Sequence, residues 1–310
     1  MQTFYSNGKL LLTGEYVVLN GANALAIPTR FGQSLNVESI TENKIFWKSF
    51  DNQGNIWFEN EFKIEQLMLN QAQHENEISE RLSQILNAAK QLNPKFLTGS
   101  EGYSVESKLT FPREWGLGSS STLINNVAQW ANIDAFKLLK LTFGGSGYDI
   151  ACAQNNFPIT YQLKTPFDCS QHDKKIINQV TFNPVFKDCL YFVYLNKKQN
   201  TRDGIAHYRK NASNLSSEIS EINNLTLKFL DCKLLDEFEN LVDRHELLIS
   251  KVIEQEPIKS ILFKDFKGSI KSLGAWGGDF VLVTSKADPT SYFKARGFNT
   301  VIPFDNMILN

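Results

Sequence analysis

The sequence predicts an α+β fold organised in two domains. Its 310 residues are enough for about two domains of ordinary size. Short apolar and alternating segments dominate the first sixty residues, which is typical of β-sheet, whereas apolar residues at 77–92 recur at the spacing of an amphipathic helix. Residues 165–187 are rich in Pro, Asp, Asn and Lys, so we place the domain boundary there.

The N-terminal segment is predicted to be mostly sheet. Apolar runs at 9–12 and 16–19 flank Thr13-Gly14-Glu15, which indicates two buried strands, or one strand and its continuation, with a polar kink between them. The kink places Glu15 either on a solvent-exposed turn or in a functional position. Further along, residues 51–54 separate two apolar stretches and predict a hairpin.

A glycine- and serine-rich loop follows the helix at 77–92 and a predicted strand at 103–111. The loop runs from Phe111 to Thr122 and leads into a helical sequence. Two glycines one residue apart let backbone N–H groups turn inward, and the first turn of a helix has unpaired N–H groups that suit a phosphate. An ordinary glycine turn with a serine N-cap is the alternative. The order of strand, glycine loop and helix favours the phosphate site.

A second glycine-rich stretch precedes Asp149. A short helix is predicted at 134–141, and the glycines at 144–147 then suggest a close backbone approach before another helix, whose first turn carries Asp149. From this pattern alone, Asp149 is either a charge that stabilises a helix N-terminus or a catalytic carboxylate.

The C-terminal half is predicted to alternate strands and helices. Strands are expected at 159–163, 190–195 and 300–303, and helices at about 204–224, 232–255 and 288–296. A glycine turn within 271–283 feeds another strand. The predicted apolar face of the helix at 232–255 consists of Leu234, Leu235, Phe238, Leu241, Val242, Leu247 and Leu248.

Composition limits the classes of partner. With 32 Lys+Arg against 33 Asp+Glu, the net charge of -1 attracts neither nucleic acid nor an anionic membrane, so local groups must hold any anionic ligand. No apolar run approaches about 18 residues, and we expect neither secretion nor a membrane span. The widely spaced cysteines indicate reduced thiols in a cytoplasmic protein; they are Cys152, Cys169, Cys189 and Cys232.

Three glycine-rich segments, in this order, resemble the signature motifs of the GHMP kinases. They are residues 7–19, 112–122 and 271–280, and Gly147-Tyr148-Asp149-Ile150-Ala151 lies between the second and the third. This superfamily includes galactokinase, homoserine kinase, mevalonate kinase and phosphomevalonate kinase. The resemblance implies an N-terminal ATP-binding domain, residues 1–170, like domain 2 of ribosomal protein S5. It also implies a ferredoxin-like C-terminal domain, residues 185–310, with the active site in the cleft between them.

The resemblance further implies a small-molecule kinase that uses ATP and Mg²⁺. Asp149 matches the catalytic aspartate that accepts the acceptor's proton, and Lys9 matches the lysine that keeps this aspartate ionised and supports the transferring phosphoryl group. Ser120 is the expected Mg²⁺ ligand. The residues expected to bind the ATP phosphates are Gly116, Leu117, Gly118, Ser119, Ser120, Ser121 and Thr122. Those expected to bind the acceptor are Glu15, Tyr16, Ser146, Gly147, Arg202, Gly277 and Gly278.

Details of the motifs favour phosphomevalonate as the acceptor. Glu15-Tyr16, the Gly-Ser-Gly sequence at 145–147 and Gly277-Gly278-Asp279 resemble phosphomevalonate kinases, whereas Asn200-Thr201-Arg202 resembles a loop of mevalonate kinases. Mevalonate kinase is therefore the alternative. A related decarboxylase and a non-catalytic sensor are less favoured. The metal-binding glutamate of mevalonate kinases has no match, since Phe136-Lys137-Leu138-Leu139 stands in its place.

Overall fold

The computed structural model describes residues 1–68, 76–164, 174–197, 201–211 and 214–309. The strands are β1 (Gln2–Leu11), β2 (Ala24–Ile40), β3 (Lys44–Phe50), β4 (Ile56–Lys63), β5 (Gly102–Leu109), β6 (Ile159–Leu163), β7 (Lys175–Gln179), β8 (Leu190–Tyr194), β9 (Ile270–Ser272), β10 (Phe280–Thr284) and β11 (Val301–Pro303). The helices are α1 (Ile64–Met68), α2 (Glu77–Leu92), α3 (Ser119–Ala131), α4 (Ala135–Thr142), α5 (Tyr148–Ala153), α6 (Thr201–Asn211), α7 (Ser216–Asp231), α8 (Leu235–Ile253), α9 (Ile258–Leu262), α10 (Thr290–Lys294) and α11 (Phe304–Met307).

The chain divides into two compact units, and each is built from separate stretches of sequence. The first unit contains residues 1–8, 31–113 and 117–154, and the second contains residues 9–30, 114–116 and 155–310. The predicted domains, 1–170 and 185–310, are contiguous segments, whereas these units are defined by packing. The domain assignment therefore stays a prediction.

In the first unit, helices cover a mixed sheet in the strand order β4-β3-β5-β2. β3 runs antiparallel to β4 and parallel to β5, and β2 pairs with β5 from Gln33↔Leu109 to Ile40↔Gly102. Apolar residues of α2, α3 and α4 form one core with the sheet. The predicted bounds of α2 are confirmed. Asn76 caps the helix by accepting the Ser79 N–H at 3.0 Å, and the helix ends before Pro94.

The predicted hairpin is also confirmed, and its turn has a local cause. The Asp51 carboxylate accepts the N–H groups of Gln53 at 2.9 Å and of Asn55 at 2.8 Å. Gly54 completes the turn with a φ of 87°. An Asp side chain that binds the backbone two residues ahead, followed by glycine, is a common turn chemistry.

The second unit contains a four-stranded antiparallel sheet in the order β11-β8-β10-β9, with α8 packed against β9. Its β10 is buried at every position, which agrees with the predicted strand after the glycine turn. The unit also includes the start of β2, which pairs with β6, and β7, which pairs with β6.

Three expectations about secondary structure are wrong. Residues 16–19 do not form a strand, because left-handed backbone at Gly14 (φ 85°) and Tyr16 (φ 63°) leads into a 3-10 helix at Val17–Asn20. The helix expected at 204–224 is two helices, α6 and α7, since Asn214 has a φ of 51° and interrupts the helical backbone.

The third error concerns the apolar face of α8. Leu234 and Leu247 are 60% and 53% exposed. The buried positions of the helix are Phe238, Val242, His245, Glu246, Ile249, Val252 and Ile253. They keep a spacing of three and four residues, so the inward face includes two ionisable side chains.

The described cysteines agree with the expectation of reduced thiols. Cys152, Cys189 and Cys232 are free, and Cys169 lies outside the described residues. Within the described ranges, none of the helices combines the length and hydrophobicity that a membrane crossing requires.

Candidate active site

The glycine loop before α3 presents an uncapped helix N-terminus. Gly116 and Gly118 have φ values of 66° and 92°, and α3 starts at the next residue, Ser119. Glycine rather than serine is the N-cap, so no side chain there accepts the first N–H groups of the helix. Because these groups also have no partner within the helix, the N-terminus offers hydrogen-bond donors and a positive dipole end to an anion.

The hydroxyl groups of the loop differ in accessibility. Ser121 Oγ donates to the Gly118 carbonyl at 2.8 Å, and Thr122 Oγ1 donates to Gln33 Oε1 at 2.7 Å; both residues are buried. Ser120 is exposed and Ser119 is half-buried. Leu117 is 0% exposed, so only its backbone could face a phosphate. Ser120 therefore has the hydroxyl best placed to reach a ligand in solvent.

Asp149 lies in the first turn of α5, as predicted. Gly147, with a φ of 85°, is the N-cap of this helix, and Ser146 immediately precedes it. The Asp149 side chain is half-buried, and its Oδ1 accepts the Ile150 N–H at 3.0 Å. The structure thus supports both interpretations of Asp149, because a carboxylate at a helix N-terminus also stabilises the helix dipole.

Two helices bring the candidate residues of the first unit together. α3 and α5 pack against each other, and Gln154 Nε2 at the end of α5 donates to Asn125 Oδ1 of α3 at 3.0 Å. The phosphate-loop residues 117–122 and Asp149 with its preceding glycines therefore belong to one packed arrangement.

In the second unit, Lys9 reaches the glycine loop. Lys9 Nζ, at the end of β1, donates to the Gly116 carbonyl at 3.1 Å. The Asp279 carboxylate lies close to the same glycine, where a Cβ atom at residue 116 would overlap it. Asp279 also has a left-handed backbone, with a φ of 54°. Gly116 is thus required both for its φ and for the close approach of Asp279.

We expect Gly116→Ala to lower the free energy of unfolding by about 2–4 kcal/mol, since it adds a left-handed backbone cost to the overlap with Asp279. Gly54→Ala is the matched control, because Gly54 has a φ of 87° and nothing within 4 Å of an added Cβ. The control should lose only about 1–2 kcal/mol in urea unfolding. Equal losses of unfolding free energy in the two variants would show that the Asp279 side chain moves aside without an energetic cost.

Glu15 is buried in an ion cluster that joins the first and third glycine-rich segments. Its carboxylate is 1% exposed, and Oε1 accepts a hydrogen bond from Lys271 Nζ at 2.6 Å. Lys271 is 0% exposed and also donates to the Ser272 carbonyl at 3.0 Å. The solvent-exposed turn considered for Glu15 is therefore wrong. Burial raises the pKa of Glu15, and the Lys271 ammonium opposes that rise.

Two residues of α8 complete the cluster. Glu246 accepts the Ser272 N–H at 2.8 Å and lies 3.7 Å from Lys271 Nζ, while His245 Nε2 accepts the Gly14 N–H at 3.1 Å. Burial and the nearby ammonium hold the pKa of His245 well below its usual value, so the imidazole is neutral. Burial raises the pKa of Glu246 to about 8. One cation faces two carboxyl groups, and the closer one, Glu15, is the ionised partner.

The contribution of Glu246 to stability is expected to fall as the pH rises from about 5 to 8. With a folded pKa of about 8 against the usual 4.5, the folded state holds a proton that the unfolded state has released in this window. Glu246→Gln is neutral at every pH and lacks this loss. Urea unfolding should show a difference that grows in favour of the variant by up to about 1.4 kcal/mol per pH unit. A pH-independent difference would contradict this assignment.

Tyr16 is also held inside the second unit. Its hydroxyl accepts the Trp276 N–H at 3.2 Å, its ring lies 5.7 Å from that of Tyr208, and Gly204 packs against it. Its positive φ is an unfavourable conformation for a tyrosine, and such strain persists where surrounding contacts enforce it. Glu15 and Tyr16 therefore connect the first glycine-rich segment to the third.

The remaining candidates are less informative. Gly277 is half-buried, with a φ of 82° and open space where a Cβ would be, and Gly278 is buried next to it. Arg202 lies in the first turn of α6, and its side chain lies outside the described part of the structure. Asn200 is likewise outside the described residues.

The sequence indicated none of the partners that Glu15 has in the structure. His245 and Glu246 lie in the helix predicted at 232–255, Lys271 begins the third glycine-rich segment, and no pairing among them was predicted. A signal was present, because two ionisable residues continue the buried spacing of α8 and a lysine interrupts a buried strand. Buried ionisable groups require partners, so this pattern predicts a buried cluster.

Comparison with known proteins establishes the fold. No family model and no curated protein matches the sequence. Among solved structures, mevalonate kinase from Methanococcus jannaschii matches 100% of this chain and 98% of its own, at 16% identity and a TM-score of 0.71. Streptococcus pneumoniae phosphomevalonate kinase, in complex with phosphomevalonate and AMPPNP, matches 98% of this chain and 100% of its own, at 16% identity and a TM-score of 0.70.

Galactokinase from Lactococcus lactis, complexed with galactose, is similar over 100% of this chain and 95% of its own, at 14% identity and a TM-score of 0.68. All three proteins are small-molecule kinases of the superfamily that the glycine-rich segments resemble. The predicted GHMP kinase fold is thereby confirmed for nearly the whole chain.

Proposed function

We propose that this chain, which has the fold of the GHMP kinases, transfers the γ-phosphoryl group of ATP to a small molecule. Phosphomevalonate is the preferred acceptor and mevalonate is the alternative. The observation that carries the proposal is the uncapped N-terminus of α3 behind Gly118, packed against the helix that begins with Asp149. In this proposal the N-terminus of α3 binds phosphate, and Asp149 supplies the carboxylate that accepts the proton of the acceptor.

The residues present fit Mg²⁺ as the accompanying ion. Mg²⁺ prefers oxygen ligands, retains waters and takes its other ligands from substrate phosphates, so the exposed Ser120 hydroxyl can serve as its protein ligand. The described residues contain no cluster of three or more His, Cys, Asp or Glu side chains suited to a metal. When bound, the ion neutralises charge on the transferring phosphoryl group.

The described segment 136–139, which stands in place of the metal-binding glutamate of mevalonate kinases, contains no carboxylate. The corresponding segment lies in α4, where Leu138 and Leu139 are buried in the core. The acidic residue closest to it, Asp134, caps α4 and accepts the Phe136 N–H at 2.7 Å. The proposed metal site therefore has few protein ligands.

In the proposed reaction, the chain's residues mainly position the reactants. The first N–H groups of α3 bind phosphate oxygens, and Asp149 accepts the proton of the acceptor. Lys9 supports the transferring group and holds the loop through the Gly116 carbonyl. For mevalonate, the proton accepted is that of an alcohol. For phosphomevalonate, it is the last proton of a phosphate, whose pKa is about 6.

The choice of phosphomevalonate rests on sequence details. Glu15-Tyr16 and the Gly-Ser-Gly sequence before Tyr148 resemble phosphomevalonate kinases, and Arg202 could supply a cation for a phosphorylated acceptor. The segment Asn200-Thr201-Arg202 favours mevalonate kinase instead. The proposal also includes a cytoplasmic location and a small-molecule substrate as the partner.

The test is ADP release with Mg²⁺-ATP in the presence of mevalonate, 5-phosphomevalonate, 5-diphosphomevalonate, homoserine or galactose, with product masses determined. Turnover on 5-phosphomevalonate supports the preferred acceptor, and turnover only on mevalonate supports the alternative. Loss of CO₂ from 5-diphosphomevalonate would identify a decarboxylase. No ATP turnover with any of the five, despite nucleotide binding, would favour a non-catalytic sensor.

A further inference from the structure

A buried asparagine of α3 connects three elements of the first unit. Asn125 is 2% exposed, its Oδ1 accepts a hydrogen bond from Gln154 Nε2 at 3.0 Å, and its Nδ2 donates to Ser6 Oγ at 2.9 Å. Gln154 is the C-cap of α5, and Ser6 belongs to β1. The oxygen and the nitrogen of the Asn125 amide are therefore both hydrogen-bonded, the oxygen to the end of α5 and the nitrogen to β1.

The hydrogen bonds continue in a fixed direction beyond Asn125. Ser6 Oγ donates to Asn126 Oδ1 at 2.6 Å, and Asn126 Nδ2 donates to the Gln33 carbonyl at 2.9 Å. Since Ser6 has a single hydroxyl proton and gives it to Asn126, a flipped Asn125 amide would face it with a second acceptor. The orientation of the Asn125 amide, and with it the acceptor offered to Gln154, is thereby determined.

The same network ends at the phosphate loop. Gln33 Oε1 accepts the hydroxyl of Thr122, which lies in the first turn of α3, one turn before Asn125. The chain of bonds thus joins the start of α3 to the end of α5. Buried polar groups satisfied at both ends impose directions that apolar packing does not, so such a network holds one arrangement of the two helices.

The short helix α5 needs this kind of support. It has six residues, with Asp149 in its first turn and Gln154 at its C-cap. The buried side chains of 150–153 also hold it in place, and their apolar contacts are largely non-directional. A hydrogen bond at the C-cap restrains both rotation and sliding of the helix, which would otherwise move the Asp149 carboxylate.

We propose that Asn125 and Gln154 are positioning residues for Asp149, which set its carboxylate relative to the phosphate loop through the bond between α3 and α5. This inference rests on the proposed function, in which Asp149 is the catalytic carboxylate. It predicts that breaking the bond slows the chemical step and leaves ATP binding intact, because the N-terminus of α3 keeps its own bonds to Gln33.

Gln154→Ala and the size-matched Gln154→Glu remove the donor. Gln154 is exposed, so both variants are expected to fold. Displacement of a reacting group by a fraction of an ångström should lower kcat about tenfold while the KM for ATP changes by less than about twofold. Gln84→Ala is the matched control, because Gln84 is also exposed and its Nε2 donates to a side-chain oxygen, Glu80 Oε1, at 3.1 Å within α2. The control should retain both constants within about twofold.

Hydrogen exchange provides a readout that does not require activity. The amides of Ala151 and Gln154, which close the turns of α5, should exchange about tenfold faster in Gln154→Ala, and those of Val127 and Ala128 in α3 should be unchanged. A kcat within about twofold of wild type, or equal changes in kcat and KM, would overturn the inference. If the wild-type chain turns over no acceptor, the proposed function fails; unchanged exchange in α5 would then overturn the positioning role as well, and faster exchange would support the bond that carries it.

Discussion

Asparagine in place of Asp149 is expected to lower kcat by about 10²- to 10⁴-fold with mevalonate, or with phosphomevalonate below a pH of about 6, the contribution typical of a positioned proton acceptor. The amide keeps the shape of the side chain and the oxygen that accepts the Ile150 N–H at 3.0 Å, so α5 should begin as before. It cannot take up a proton. Steady-state kinetics should show the loss in kcat, and calorimetry with Mg²⁺-AMPPNP should show a Kd within about twofold of wild type.

Asp134→Asn is the control for this variant, because Asp134 also stands at a helix start and accepts a backbone N–H, at 2.7 Å from Phe136 N. It should retain wild-type kcat.

The pH dependence of Asp149→Asn adds a test of the acceptor. With phosphomevalonate, the loss should shrink above a pH of about 6, where the phosphate has released its own proton. With mevalonate, it should persist, since an alcohol does not ionise. Near-wild-type rates at low pH would remove Asp149 from the chemistry.

Methionine in place of Lys271 is expected to lower the free energy of unfolding by about 3–5 kcal/mol, because it leaves the Glu15 charge buried without its cation. Lys271 and Glu15 are 0% and 1% exposed, and their charged atoms are 2.6 Å apart. Urea unfolding is the measurement. The double variant Glu15→Gln with Lys271→Met removes both charges and should recover most of the loss.

Lys187→Met is the matched control, since Lys187 pairs with Asp305 at 2.8 Å while both side chains are partly exposed. An exposed pair contributes at most about 1 kcal/mol. A loss in Lys271→Met no greater than in the control, or a double variant as unstable as the single one, would contradict the account of the buried cluster.

The elements that the sequence predicted well are those with local causes. Helix α2 has an asparagine cap, a regular apolar stripe and a proline beyond its end, and the hairpin at 51–54 has an Asp-to-backbone turn. The loop that begins α3 and the aspartate at the start of α5 are likewise encoded by neighbouring glycines. Interactions within a few residues determine all of these features, so a single sequence reveals them.

The features that were missed depend on distant contacts. The bond between Glu15 and Lys271 spans 256 positions, and the left-handed backbone of Tyr16 is held by Trp276, 260 positions away. The pattern at 16–19 predicts a strand, and these contacts hold the left-handed residue that leads into a 3-10 helix instead. The need for glycine at residue 116 follows from Asp279, which the sequence places far along the chain.

The same distinction applies to the candidate site. The positions of Ser120 and Asp149 at helix starts follow from local sequence. Their roles toward ATP and acceptor stay predictions, as do those of Lys9 and Arg202. The partners that organise the site, Asn125 among them, become visible only once the helices are packed.

The most direct test of the central claim is the mass of the acceptor after incubation of the purified chain with Mg²⁺-ATP and 5-phosphomevalonate. We predict a product heavier by one phosphoryl group, formed in equal amount with ADP, and its near absence with Asp149→Asn when the assay is run below a pH of about 6, where the acceptor phosphate keeps its proton. ADP release without a heavier acceptor, or no ADP release with any of the five acceptors, would contradict it.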